Sequence, residues 1–163
     1  MWGVKVFAVM VVAAVVVIGM ERSEGHWTLA TDVQKYYRCL PFDWYVVTAA
    51  RPEETPKRGE LVRFTPPKDV ERFTEAFEII KIVVAVEGDR WRIEQDQLFI
   101  NDKLWGDLHL ITSINAAPGS LDGEGVVPAG HVYVLGTNPS SYDSRYWGPL
   151  ANHHITGKAH VVF

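Results

Sequence analysis

The sequence predicts a mainly β domain of coiled antiparallel sheets with one or two short helices, preceded by one transmembrane helix. Three observations lead there. Short runs rich in β-branched and aromatic residues follow one another along most of the chain, bounded by Gly, Pro, Asn or Asp. One stretch alone carries helical periodicity. The amino terminus is a continuous apolar run.

Trp2 to Met20 is apolar apart from Lys5 near its start. About twenty helical residues, each rising ~1.5 Å, cross a hydrocarbon core of ~30 Å. Lys5 lies close enough to the end to reach the headgroups. A cleaved secretory signal is the alternative. Val17 to Met20 offer no Ala-x-Ala pattern, and Glu21 and Arg22 follow at once, so an uncleaved anchor over residues 1–20 is expected. Lys5 on one side and Arg22 on the other leave the positive-inside rule almost nothing to decide.

After a polar juncture, Glu21 to Asp32, strands are expected at Trp44–Thr48, Leu61–Phe64, Ile79–Val86, Trp91–Ile93, Leu98–Ile100, Val132–Leu135 and Ala159–Phe163. The helix is expected over Pro67–Phe77. It has Pro at its start, acids in its first turn, and Val70, Phe73 and Phe77 on one face. Ala116 to Gly130, with four glycines and two prolines, reads as a loop. There is no internal repeat, and residues 21–163 read as one domain.

Composition excludes several functions. Lys and Arg number 16 against 20 Asp and Glu, for a net charge of −4. No basic face suited to nucleic acid is visible. The single cysteine, Cys39, forms no intramolecular disulfide and no Cys-x-x-Cys redox pair. A lone thiol pairs between chains, sits buried and inert, or works as a nucleophile. His153 and His154 are adjacent, and adjacent residues on a strand point apart. No Glu or Cys is spaced to complete a metal site, so neither metal nor cofactor is expected.

Three segments carry a resemblance. The first runs from Gly130 to Pro149 and contains Ser141-Tyr142-Asp143-Ser144-Arg145-Tyr146-Trp147-Gly148. The second is Lys81-Ile82-Val83-Val84-Ala85-Val86-Glu87-Gly88-Asp89, a lysine followed by apolar residues and then Gly-Asp. The third is Cys39-Leu40-Pro41, soon after the apolar run. Together they resemble the signal peptidase I superfamily, and within it the TraF-type peptidases of conjugative transfer that process pilin. The first segment matches that family's Ser-x-Asp-Ser-Arg-Tyr-Trp/Phe-Gly signature at every defined position. The second resembles its base-bearing strand, with Ala85 and Glu87 where many housekeeping enzymes have Gly and Pro. The third resembles its Ser-x-Pro nucleophile segment, with Cys in place of Ser. Arg58-Gly59-Glu60-Leu61-Val62-Arg63-Phe64 resembles a further family strand, with Glu60 for Asp, and reads as structural.

The resemblance implies a single-pass protein of the cytoplasmic membrane with its catalytic domain in the periplasm or outside. It implies cleavage of a pre-pilin or another exported precursor, with membrane lipid as the second partner and no nucleic acid. Cys39 would be the nucleophile and Lys81 the general base. A general base needs such a lysine among apolar neighbours, because burial disfavours an ammonium over an amine that can accept a proton. A thiol needs less help from its base than a hydroxyl does. Ser141 would orient the base, and Asp143 and Arg145 would pair and brace the loop beside the site. The Cys39 N–H would be the first oxyanion donor. Tyr37 stands two residues before the nucleophile, where some relatives add a hydroxyl, and takes no assigned role. Hydrolysis and cyclisation of a pilin both remain open. So does an inactive relative that binds pilin or secretion components. An envelope thiol-disulfide protein would want a second cysteine, and a self-cleaving repressor would want a DNA-binding domain where the apolar run stands.

Overall fold

The computed structural model of the chain describes residues 27–31, 38–51, 53–71 and 78–162. The expected anchor over residues 1–20, and Tyr37, lie outside the described residues. No helix among the described residues is long and apolar enough to cross a membrane.

Eleven strands are described, and they form two antiparallel sheets. The larger contains β1 (Trp27–Thr31), β2 (Trp44–Ala49), β3 (Leu61–Phe64), β4 (Ile79–Val86), β9 (His131–Leu135), β10 (Leu150–Ala151) and β11 (Ile155–Val161), in the order β1-β2-β11-β3-β4-β9-β10. The smaller contains β5 (Arg90–Glu94), β6 (Gln97–Ile100), β7 (Lys103–Asp107) and β8 (Gly123–Val126), in the order β7-β6-β5-β8. The helical segments α1 (Lys68–Glu71) and α2 (Ser144–Trp147) are one turn each. The rest of the helix expected over Pro67–Phe77 lies at residues 72–77, outside the described ones.

Strand β4 is the hub. Its eight residues, IIKIVVAV, pair with β3 on one side and β9 on the other. A bulge between Val83 and Ala85 shifts the β9 register and bends the strand. Three apolar clusters meet around it. Val83 joins Val62, Phe64, Val132, Val134 and Leu150. Ile80 packs on Leu40, Tyr45, Val47 and Ala159. Val84 and Ala85 belong to the core shared with the smaller sheet, through Ile93, Leu98, Ile100 and Tyr133. Asp89 fastens the passage from β4 to β5. It accepts from the Val86 N–H at 2.7 Å, from Asn101 at 2.9 Å and from Arg58 at 2.5 Å.

The Ala116–Gly130 loop expectation is corrected. Gly123–Val126 is a strand, β8, paired along its length with β5. Gly123 and Gly125 hide it from a propensity reading, yet Gly125 is there for a close approach. A Cβ on it would lie 3.0 Å from the Trp91 indole. Three further strands, β1, β7 and β10, also escape the sequence reading, and β11 begins four residues before its expected start at Ala159. His153 and His154 do not point apart on a strand. They sit in a 3-10 turn, Asn152–His154, with ring centroids 4.4 Å apart.

Candidate active site

The site grows from the turn that leaves β9. Leu135 pairs with Ile82, so the chain beyond it, Gly136-Thr137-Asn138, emerges beside Lys81. The Lys81 side chain is 1% exposed, and its Nζ donates to the Ser141 hydroxyl at 2.6 Å. Ser141 is itself buried. Lysine on an apolar strand commonly points outward to solvent. Here it points inward, on the face of β4 that it shares with Val83 and with its cross-strand partner Val62.

Asp143 and Arg145 hold the turn in place. Asp143 caps α2 by accepting from the Arg145 N–H at 3.2 Å. Its carboxylate takes a two-pronged contact from the Arg145 guanidinium, at 2.8 and 2.6 Å. Both side chains are buried, at 0% and 7% exposure. The pair then grips Gly136 from both ends. Asp143 accepts from the Gly136 N–H at 2.8 Å, and Arg145 donates to the Gly136 carbonyl at 3.1 Å. Arg145 also reaches the carbonyls of Asn138 and Pro139. Burial by itself would lower the Arg145 pKa, but the Asp143 carboxylate outweighs it and holds the guanidinium charged. Ser144 contributes too, accepting from the Val134 N–H at 3.0 Å. Next to this pair the Tyr133 phenol is buried without a hydrogen-bond partner among the described residues. Burial, and then the Asp143 charge, push its pKa far up.

Cys39 is half-buried and carries a free thiol. Its main chain is bound to the same turn. The Cys39 carbonyl accepts from the Thr137 N–H at 2.8 Å, from the Asn138 N–H at 3.3 Å and from the Thr137 hydroxyl at 3.3 Å. Gly136 is the point where the halves converge. A Cβ there would lie 2.4 Å from the Ser141 hydroxyl and 2.7 Å from the Cys39 carbonyl oxygen. The fold therefore gathers Lys81, Ser141 and the Cys39 main chain around one glycine, and sets the Asp143–Arg145 pair behind it. Sequence reasoning placed Gly136, Thr137 and Asn138 in the Gly130–Pro149 segment but gave them no role. The signal available was a Gly-Thr-Asn-Pro turn directly after a buried strand. Among the described residues no group of three or more His, Cys, Asp or Glu could hold a metal ion.

Comparison with known proteins shows the family to which the chain belongs. The sequence profile of the family described as "Signal peptidase, peptidase S26" matches residues 3–163. The chain is 35% identical over 112 residues to a probable signal peptidase I-2 of Synechocystis, covering 66% of this chain and 48% of that one. It is 29% identical over 142 residues to the conjugal transfer protein TraF of Agrobacterium fabrum, covering 74% of each. It is 38% identical over 82 residues to thylakoidal processing peptidase 1 of Arabidopsis thaliana, covering 49% of this chain and 23% of that one. The chain thus spans about half or less of the length of several curated relatives it matches. Among solved structures, a signal peptidase I from Enterococcus faecalis superposes with a TM-score of 0.40 at 21% identity, over 68% of this chain and 98% of that one. With a family match running nearly end to end, the chain belongs to the signal peptidase family, peptidase S26.

Proposed function

We propose that this protein is a membrane-anchored endopeptidase of the signal-peptidase type that processes an exported precursor, a conjugative pre-pilin, with a Cys39/Lys81 dyad. One observation carries the reading. A buried lysine and its serine partner converge with the Cys39 main chain on Gly136, although these residues lie far apart in sequence. In the proposed reaction Lys81 takes the Cys39 thiol proton. The sulfur attacks the scissile carbonyl after a small residue such as Ala. The tetrahedral intermediate collapses as the leaving amine departs with a proton, and a thioester remains. Water then frees the acid and restores the thiol. Attack by the pilin's own amino group instead would form a peptide bond and a circular product.

Several features support the membrane and conjugation parts. The apolar run 1–20 precedes a domain whose first strand begins at Trp27. The register sets Trp27, Leu29 and Trp44 on one face of β1 and β2, with Val162, just past β11, bonded to Trp44; all four are exposed, and they offer apolar side chains to a lipid surface. The likeness to a conjugal transfer protein covers more of this chain than the two other curated relatives given above. The proposed location is the cytoplasmic membrane, with the domain 21–163 in the periplasm or outside.

The test is mutational. Cys39→Ala and Lys81→Met should each abolish processing of a co-expressed pilin, followed by mass spectrometry, while Cys39→Ser retains a fraction. The masses also report whether the cut ends join. Undiminished processing in Cys39→Ala would remove the dyad and favour a binding role.

A further inference from the structure

The peptide that carries the Cys39 N–H is anchored from one side. The Asn138 side-chain amide donates to the Arg38 carbonyl at 3.0 Å. Asn138 has little freedom to release it. Its side-chain oxygen accepts from the Ser140 N–H at 2.9 Å, which fixes the amide orientation, since the Arg38 carbonyl needs a donor and the Ser140 N–H an acceptor. The Asn138 carbonyl accepts from the Ser141 N–H at 3.0 Å and from Arg145 at 3.3 Å. Behind Asn138, therefore, stands the buried Asp143–Arg145 pair.

A trans peptide is planar, so its C=O and N–H point in opposite directions. Holding the Arg38 oxygen fixes where the Cys39 N–H points. The following peptide is fixed independently, by the three donors on the Cys39 carbonyl. No acceptor among the described residues takes the Cys39 N–H. We infer that Asn138 is a positioning residue for the oxyanion: its side-chain amide anchors the Arg38 carbonyl and so aims the Cys39 N–H at the oxygen of the scissile carbonyl. The inference rests on the proposed reading of Cys39 as nucleophile. It adds a residue that touches neither substrate nor thiol and acts only on the charge that develops in the transition state.

That role separates from a structural one. Alkylation of Cys39 by iodoacetamide forms a carbon–sulfur bond and expels iodide, with no oxyanion. Addition of the thiol to a peptide aldehyde forms a hemithioacetal whose oxygen occupies the oxyanion position. The experiment uses the full chain in detergent, a peptide cleaved after alanine, and the matching alanine aldehyde. Two variants are compared. Asn138→Ala removes both side-chain contacts. Asn138→Asp keeps the acceptor for Ser140 and removes the donor to Arg38.

Loss of an oxyanion donor lowers kcat about 100- to 1,000-fold, and a donor left in place but misdirected should cost about 10- to 100-fold. Both variants should show that fall in kcat with KM within about 3-fold, and the aldehyde should weaken by the same factor as kcat/KM. The rate of iodoacetamide labelling against pH should match the wild type. The inference is overturned by kcat within 3-fold of wild type in both variants. It is equally overturned if the labelling profile falls in step with kcat, or if neither variant folds, for then Asn138 only supports the scaffold. Failure of the parent reading looks different: Cys39→Ala would cleave the peptide at the wild-type rate.

Discussion

On the Lys81 side of the candidate site, every group is enclosed and internally bonded. Lys81, Ser141, Asp143 and Arg145 are all buried, and each has its partner within the same few residues of turn or on β4. On the Cys39 side the opposite holds. Cys39 is half-buried, and what ties it down is main chain: two consecutive carbonyls, of Arg38 and Cys39, received by Asn138 and Thr137. The nearest ion pair there, Arg38 with Asp43, is largely exposed. Lys81 is thus built into the sheet, whereas Cys39 is hung on the turn that the sheet holds out. Disturbing the first should cost stability and activity together, and disturbing the second mainly activity.

The largest effect is expected from Asp143→Asn. It leaves a buried guanidinium without its carboxylate and should destabilise the fold by about 3–5 kcal/mol, read by urea unfolding. A loss under about 1 kcal/mol would mean that the Lys81 side is less enclosed than its contacts imply. Gly136→Ala comes next, because it strikes both sides. The new methyl group meets the Ser141 hydroxyl and the Cys39 carbonyl, so a cost of about 1–3 kcal/mol is expected together with a fall in kcat/KM of more than about 100-fold. An active Gly136→Ala variant would break the picture of a shared pivot.

Thr137→Val should be milder. It removes one of three donors on the Cys39 carbonyl and keeps both main-chain ones, so kcat should fall only about 2- to 10-fold, with stability changed by about 1 kcal/mol. The smallest effect sits far from the site, where the two sheets join. Burial alone would raise the Asp89 pKa, but hydrogen bonds from Asn101, Val86 and Arg58 bring it below its ordinary value. A carboxylate lowered in the folded state contributes stability above its unfolded pKa, near about 4, and loses it as pH falls through the folded value. Asp89→Asn should therefore be less stable than wild type at pH 7. The gap in Tm should close below about pH 4, with processing at neutral pH little changed.

How legible the molecule is from sequence differs by element. β3 and β4 have the bounds that alternation and β-branching predict, Leu61–Phe64 and Ile79–Val86. β8 was hidden because Gly123 and Gly125 carry no strand propensity. It is a strand because β5 offers it a ladder and Trp91 needs the space. At the site, the string from Ser141 to Gly148 named the residues worth watching. Asn138, Thr137 and Gly136 went without a role, because what they do depends on which distant main-chain carbonyls the fold brings to them and, at Gly136, on the absence of a side chain, which residue type does not advertise.

By itself the sequence determined a mainly β domain behind an apolar segment and a short set of candidate groups, because periodicity and turn chemistry are local properties of the chain. Only the tertiary structure decided that Lys81 faces inward onto Ser141, 60 residues away, and that Thr137 meets Cys39 across 98 residues. The reason is register. A slip of one residue between β4 and β9 would turn alternate side chains to the opposite face, and what prevents it is the packing of three apolar clusters around β4, which no single stretch of sequence contains.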